Sequence, residues 1–156
     1  MQADGRTGSG FERIRHARAD GDTPESAHAS AVSRLQALPK GCVLEIELDF
    51  DPSSFLDDIA ERGAHAQSRK IARRRWLLSL QPPGDRKLID LCDLEAPLPM
   101  ERILEAAAEL EPGQALIART PCFPHPLLAQ LDHRGLDWEA DEAGDASALV
   151  WVGRPG

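Results

Sequence analysis

The chain has 156 residues, 42% hydrophobic but only 4% aromatic and without tyrosine. That length suits one ordinary domain or two small ones, with cores built from Leu, Ile, Val and Ala. No apolar run approaches the roughly 18 residues of a membrane helix, and the polar start MQADGRTGSG lacks a hydrophobic stretch that would direct secretion, so a cytoplasmic protein with no membrane partner is expected. Net charge is −8, and residues 82–156 account for all of it with 6 Lys/Arg against 14 Asp/Glu, which argues against nucleic acid as a general partner.

In chain order, residues 1–10 offer nothing to bury and are expected to form a disordered tail. A first unit is expected over residues 11–81. Its opening strand, FERIRHA, is a poor candidate because it holds few apolar residues. DTPESAHASAVSRLQAL then reads as a helix with Thr23 as N-cap and Pro24 at N1. VLEIELD alternates as a strand, with Leu44, Ile46 and Leu48 on one face. SSFLDDIAERG is a second helix, and AHAQSRK with RWLLSL forms a hairpin. The turn formers of LQPPGDR mark a linker at residues 82–86.

The second unit, residues 87–156, repeats this order. KLIDL is a short strand, and Pro97 and Pro99 open a helix with Met100, Ile103, Leu104 and Ala107 on one face. Pro112 and Gly113 end it. QALIART is the next strand, PHPLLAQLDHRG a helix with Pro126 near N1 and Gly135 at its end, and LDWEAD and ALVWV the closing hairpin. Shifting the sequence by 72 positions lays residues 38–63 over 110–135 without a gap. Seven of the 26 pairs are identical: Leu38/Leu110, Gly41/Gly113, Leu44/Leu116, Pro52/Pro124, Leu56/Leu128, Arg62/Arg134 and Gly63/Gly135. An internal duplication is therefore expected.

The stretch DLCDLEAPLPMERILEAAAELEPGQALIA, together with FPHPLL at residues 123–128, resembles the TusA/SirA-like sulfur-carrier superfamily. More closely it is similar to a bacterial domain-of-unknown-function branch in which the carrier cysteine is commonly absent. The resemblance covers residues 87–153 well, and 23–81 through the repeat. The expected fold is an α/β (α+β) two-layer sandwich of two tandem β-α-β-α-β-β units, each a four-stranded mixed sheet with two helices on one face. In ALVWV and in the WLL of WLLSL neighbouring residues are apolar, so both strand faces want cover, and the two units are expected to pack as a pseudo-dimer, with a homodimer as the alternative.

In the carriers a cysteine before the first proline takes up a persulfide, its thiolate favoured by the helix N-terminus. Carried over residue by residue, the prolines are Pro97 and Pro99 and the thiol position is Ala96, which cannot carry sulfur. Parallel strands would bring the second loop to the same sheet edge. The expected binding edge thus comprises Ala96, Pro97, Pro99, Pro124, His125 and Pro126, with Cys122 as the candidate displaced thiol.

Among the other residues, three cysteines without paired spacing suggest reduced thiols. Cys92 is expected to be a buried small hydrophobe at the end of its strand, and Cys42 to be structural or merely exposed. Cys122 and His125 have Cys-x-x-His spacing with His133 beyond, a weak zinc pattern lacking a second pair; no metal and no cofactor are expected. The basic run from Arg69 to Arg75 reads first as a solvated, protected strand edge, next as a face that docks onto the acidic second unit, and third as an RNA surface. The functional expectation, by family analogy alone, is a non-enzymatic binding or adaptor module with a protein partner, in sulfur, redox or respiratory metabolism. The alternatives are a sulfur or thiol carrier using Cys122 and RNA binding through the Arg69–Arg75 hairpin.

Overall fold

In the computed structural model, which describes residues 13–18, 23–143 and 145–156, Thr23 and Ser26 form a capping box at the start of the first helix. The Ser26 amide donates to Thr23 Oγ1 at 3.1 Å and the Thr23 amide to Ser26 Oγ at 3.3 Å, which satisfies two groups the helix itself leaves without partners. The tail expected over residues 1–10 lies outside the described residues.

The chain divides into two units, one formed by Ile14–Asp85 and one containing Arg86–Gly156. In the first, the elements are β1 (Ile14–Arg18), α1 (Pro24–Gln36), β2 (Val43–Leu48), α2 (Ser53–Glu61), β3 (His65–Ala72) and β4 (Arg75–Gln81). The sheet order is β1-β2-β4-β3, with β1 and β2 parallel and the other pairs antiparallel. The poor opening strand does form, anchored by Ile14, its most deeply buried residue at 1% exposure. Leu44, Ile46, Leu48, Leu78 and Leu80 meet Ala27, Ala31 and Leu35 of α1 and Phe55 and Ile59 of α2 in one core. Full burial of a side chain such as Ile59 stabilises by about 1.5–3 kcal/mol. On the opposite sheet face the alternation hides an acidic side chain: Glu45 is buried, and its Oε2 accepts a hydrogen bond from Ser79 Oγ at 3.1 Å. The linker is held to this unit up to its next-to-last residue, because Asp85 Oδ2 accepts from the Gly41 amide at 2.7 Å and the Asp85 carbonyl lies 2.8 Å from His65 Nε2.

The second unit contains β5 (Ile89–Asp90), α3 (Leu98–Ala108), β6 (Ala115–Thr120), α4 (His125–His133), β7 (Asp137–Glu142) and β8 (Ala148–Gly153), with sheet order β5-β6-β8-β7. Its core joins Ile103 and Ala107 of α3 and Leu127, Leu128 and Leu131 of α4 to Leu116, Ala118, Trp138, Ala140, Val150 and Val152 of the sheet. The strand expected over KLIDL pairs only at Ile89 and Asp90. Together the units form two four-stranded mixed sheets and four helices, the α+β architecture expected from the pattern.

Strand pairing in the two units keeps the same offset. Ala17 pairs with Ile46 as Ile89 does with Ala118, Leu44 with Leu80 as Leu116 with Val152, and His65 with Gln81 as Asp137 with Gly153. Each second pair lies 72 positions beyond the first. Helices α2 and α4 also keep this spacing at both ends, each stopped by a glycine with positive φ, +81° at Gly63 and +73° at Gly135, a conformation that costs a residue with a Cβ more than it costs glycine.

Candidate functional site

Because β5 and β6 run parallel, the loops that follow them leave the sheet at the same end. The first loop leads into α3 through Ala96 and Pro97, both exposed, while Pro99 is buried in the first turn. The Ala96–Pro97 peptide is cis. In the second loop Cys122 is exposed and Pro124 is half-buried, with exposed His125 and Pro126 beginning α4. Thr120 Oγ1 donates to the Cys122 carbonyl at 2.8 Å and so fixes the turn out of β6. The rings of Phe123 and His125 lie 4.7 Å apart and tilted by 49°. No hydrogen bond joins Cys122 to His125 among the described residues. The structure therefore puts all seven expected residues on two loops and the first turns of the helices they open, at one sheet end, without coupling the thiol to the imidazole.

The remaining cysteines occupy different environments. Cys42 is 3% exposed within the first core. Cys92 departs from expectation: β5 stops at Asp90, so strand alternation no longer governs its position. The Asp90 carboxylate instead accepts from the Cys92 amide at 3.0 Å, turning the chain and leaving Cys92 half-buried.

Beside the first loop lies a groove of about 490 Å³ between β5 and α3. Its floor holds Leu91, Leu94 and Ala106, with Ile89, an unusually exposed large aliphatic residue at 38%, on its wall. Asp90, Asp93, Glu105 and Glu109 line it against a single cation, Arg102. None of Asp93, Arg102, Glu105 and Glu109 has an ion-pair partner among the described residues. These groove residues were not singled out in the sequence. The available signal was the stripe Arg102, Glu105, Ala106 and Glu109 at i, i+3, i+4 and i+7, the side of α3 away from Ile103 and Ala107. The positions 72 earlier are Ser30, Ser33, Arg34 and Ala37, and Arg18 precedes Asp90 by the same shift. The acidic character is thus particular to the second unit.

The basic hairpin is built from β3, an end strand of the first sheet, and β4. Arg75 Nη2 is 2.6 Å from Glu47 Oε1, and Lys70 Nζ lies 5.4 Å from the Trp76 ring centroid. Arg73 and Arg74 are exposed at its tip. Part of the run therefore has local partners. Among the described residues, no group of three or more His, Cys, Asp or Glu side chains is placed to hold a metal ion. Among the described residues, no helix is long and apolar enough to cross a membrane.

The family model described as "Uncharacterized conserved protein (DUF2249)" matches residues 88–154, the span of the second unit's described fold. No curated protein and no solved structure matches the chain.

Proposed function

We propose that the protein is a non-enzymatic binding or adaptor module of the TusA/SirA-like kind, cytoplasmic, acting on a protein partner in sulfur, redox or respiratory metabolism. The observation that carries this reading is the groove between β5 and α3, whose apolar floor and unpaired charged walls offer recognition without a nucleophile. Ala96, exposed where the sulfur carriers hold their thiol, agrees with it. The two units are read as copies of one ancestral element, supported by the seven identities and the common offset in strand pairing.

Affinity capture of the full chain from its native cells, read by mass spectrometry, tests the adaptor role. The expected result is a reproducible protein partner whose recovery falls when Ala106, which lines the groove, is replaced by a bulky residue. Recovery of the same background proteins with the wild type and with an unrelated acidic domain would overturn it.

A second reading, a thiol carrier using Cys122, is favoured by one observation: this cysteine is exposed in the loop leading into α4. Its test is mass spectrometry of the protein isolated from cells under non-reducing conditions. A persulfide on Cys122, absent from the Cys122→Ser variant, supports the carrier; an unmodified thiol refutes it.

A further inference from the structure

We propose that the groove between β5 and α3 receives an extended basic segment of a partner protein, added as a strand beside β5; this rests on the adaptor reading and names the chemistry of its partner. Three observations support the assignment. First, β5 is an end strand, so one side of its backbone faces no other strand of the sheet. A strand edge presents a template for an incoming extended chain, here over the two residues of β5. Second, the groove alongside that edge combines exposed Ile89 and the half-buried Leu94 and Ala106 with four carboxylates against one guanidinium. A segment alternating aliphatic with Lys or Arg side chains complements both features, because alternate residues of a strand point to opposite sides. Third, the equivalent edge of the first unit carries Arg18 and Arg34 in place of Asp90 and Ala106, so the acidic lining is not imposed by the fold. The carboxylates of Asp93, Glu105 and Glu109 are not engaged in ion pairs among the described residues, so an incoming cation need not break an existing one. Complementary charge at this exposed groove sets partner choice and encounter rate more than raw affinity.

The test uses the full chain and a fluorescein-labelled peptide of alternating Val and Lys/Arg, with two control peptides. One control replaces each basic residue by Glu; the other replaces the central residues by Pro, which cannot donate to a strand ladder. Anisotropy titration should show saturable binding of the basic peptide alone, weakening as salt rises and screens the charges. Amide NMR shifts should concentrate at residues 89–94 and 102–109. The double variant Glu105→Lys/Glu109→Lys should bind about tenfold more weakly or worse, with an unchanged far-ultraviolet dichroism spectrum showing that it still folds. No binding by the folded wild type, equal binding by the double variant, or equal binding of the Pro-containing peptide would each overturn the proposal. Failure here alongside a specific captured partner removes only the basic-strand assignment, whereas failed capture removes the adaptor reading itself.

Discussion

His28 of α1 and Asp58 of α2 meet at 2.8 Å, and Arg62, the residue that caps the C-terminus of α2, donates from Nε to the same Asp58 oxygen at 3.2 Å. The His28 ring also stacks on Phe55, with centroids 4.4 Å apart and planes 15° from parallel. This pins the two helices together above their shared core. Hydrogen bonds from His28 and then Arg62 hold the Asp58 carboxyl below its ordinary value of 3.8. A carboxylate with a lowered folded pKa adds stability that is complete above the unfolded value and lost as pH falls through the folded one. The wild type should therefore exceed Asp58→Asn in urea midpoint near pH 5, with the gap closing below about pH 4. A gap that persists unchanged into strong acid would show that Asp58 acts through packing alone.

Helix α1 provides a second test. Thr23→Ala removes the acceptor for the Ser26 amide and should cost about 1 kcal/mol, within a range of about 0.5–2. Thr23→Ser should restore most of it, because the hydroxyl is the active group. Equilibrium urea unfolding of the three proteins measures the difference. Equal stability of the alanine and serine variants would assign the loss to the methyl group instead.

In the second unit, Gly153 leaves room for the indole of Trp151 on the same side of β8. A Cβ at Gly153 would lie 2.8 Å from Trp151 Cζ2 and closer still to Cη2. Gly153→Ala should destabilise by about 1–3 kcal/mol through overpacking. Trp151→Leu in the same chain should relieve the added cost, giving a coupling that a double-mutant cycle reads directly. Additive losses would show that the indole moves aside freely.

These contacts divide into those the sequence announced and those it could not. Thr23, Pro24 and the Leu44, Ile46, Leu48 alternation were legible because capping and strand period are local properties. The 72-residue shift, found over 26 positions, extends in the structure to pairing registers outside that window. β1 was obscure because five residues hold only two apolar side chains, and its place comes from pairing with β2. Buried Glu45 was invisible for a related reason: a strand's second face declares its polarity, but not what covers it. The loop residues Ala96 and Cys122 could be set at one sheet end from topology alone. The groove could not, because it arises where a two-residue edge strand passes a helix side that reads as ordinary solvated surface.

The three thiols give the last test, since the fold assigns each a different access. Cys42 is buried in the first core, Cys92 is half-buried behind the turn closed by Asp90, and Cys122 is exposed in the loop before α4. Alkylation of the folded chain under excess reagent should therefore label Cys122 first, then Cys92, and Cys42 only when the first unit opens. Peptide mass spectrometry over time resolves the order. Low urea that leaves the fold intact should not change the rate at Cys122, whereas the rate at Cys42 should rise with the unfolded fraction. Asp90→Ala removes the acceptor of the Cys92 amide and should speed labelling of Cys92 while leaving Cys122 unchanged. Comparable rates at Cys42 and Cys122 in the native state would contradict the burial described for the first core.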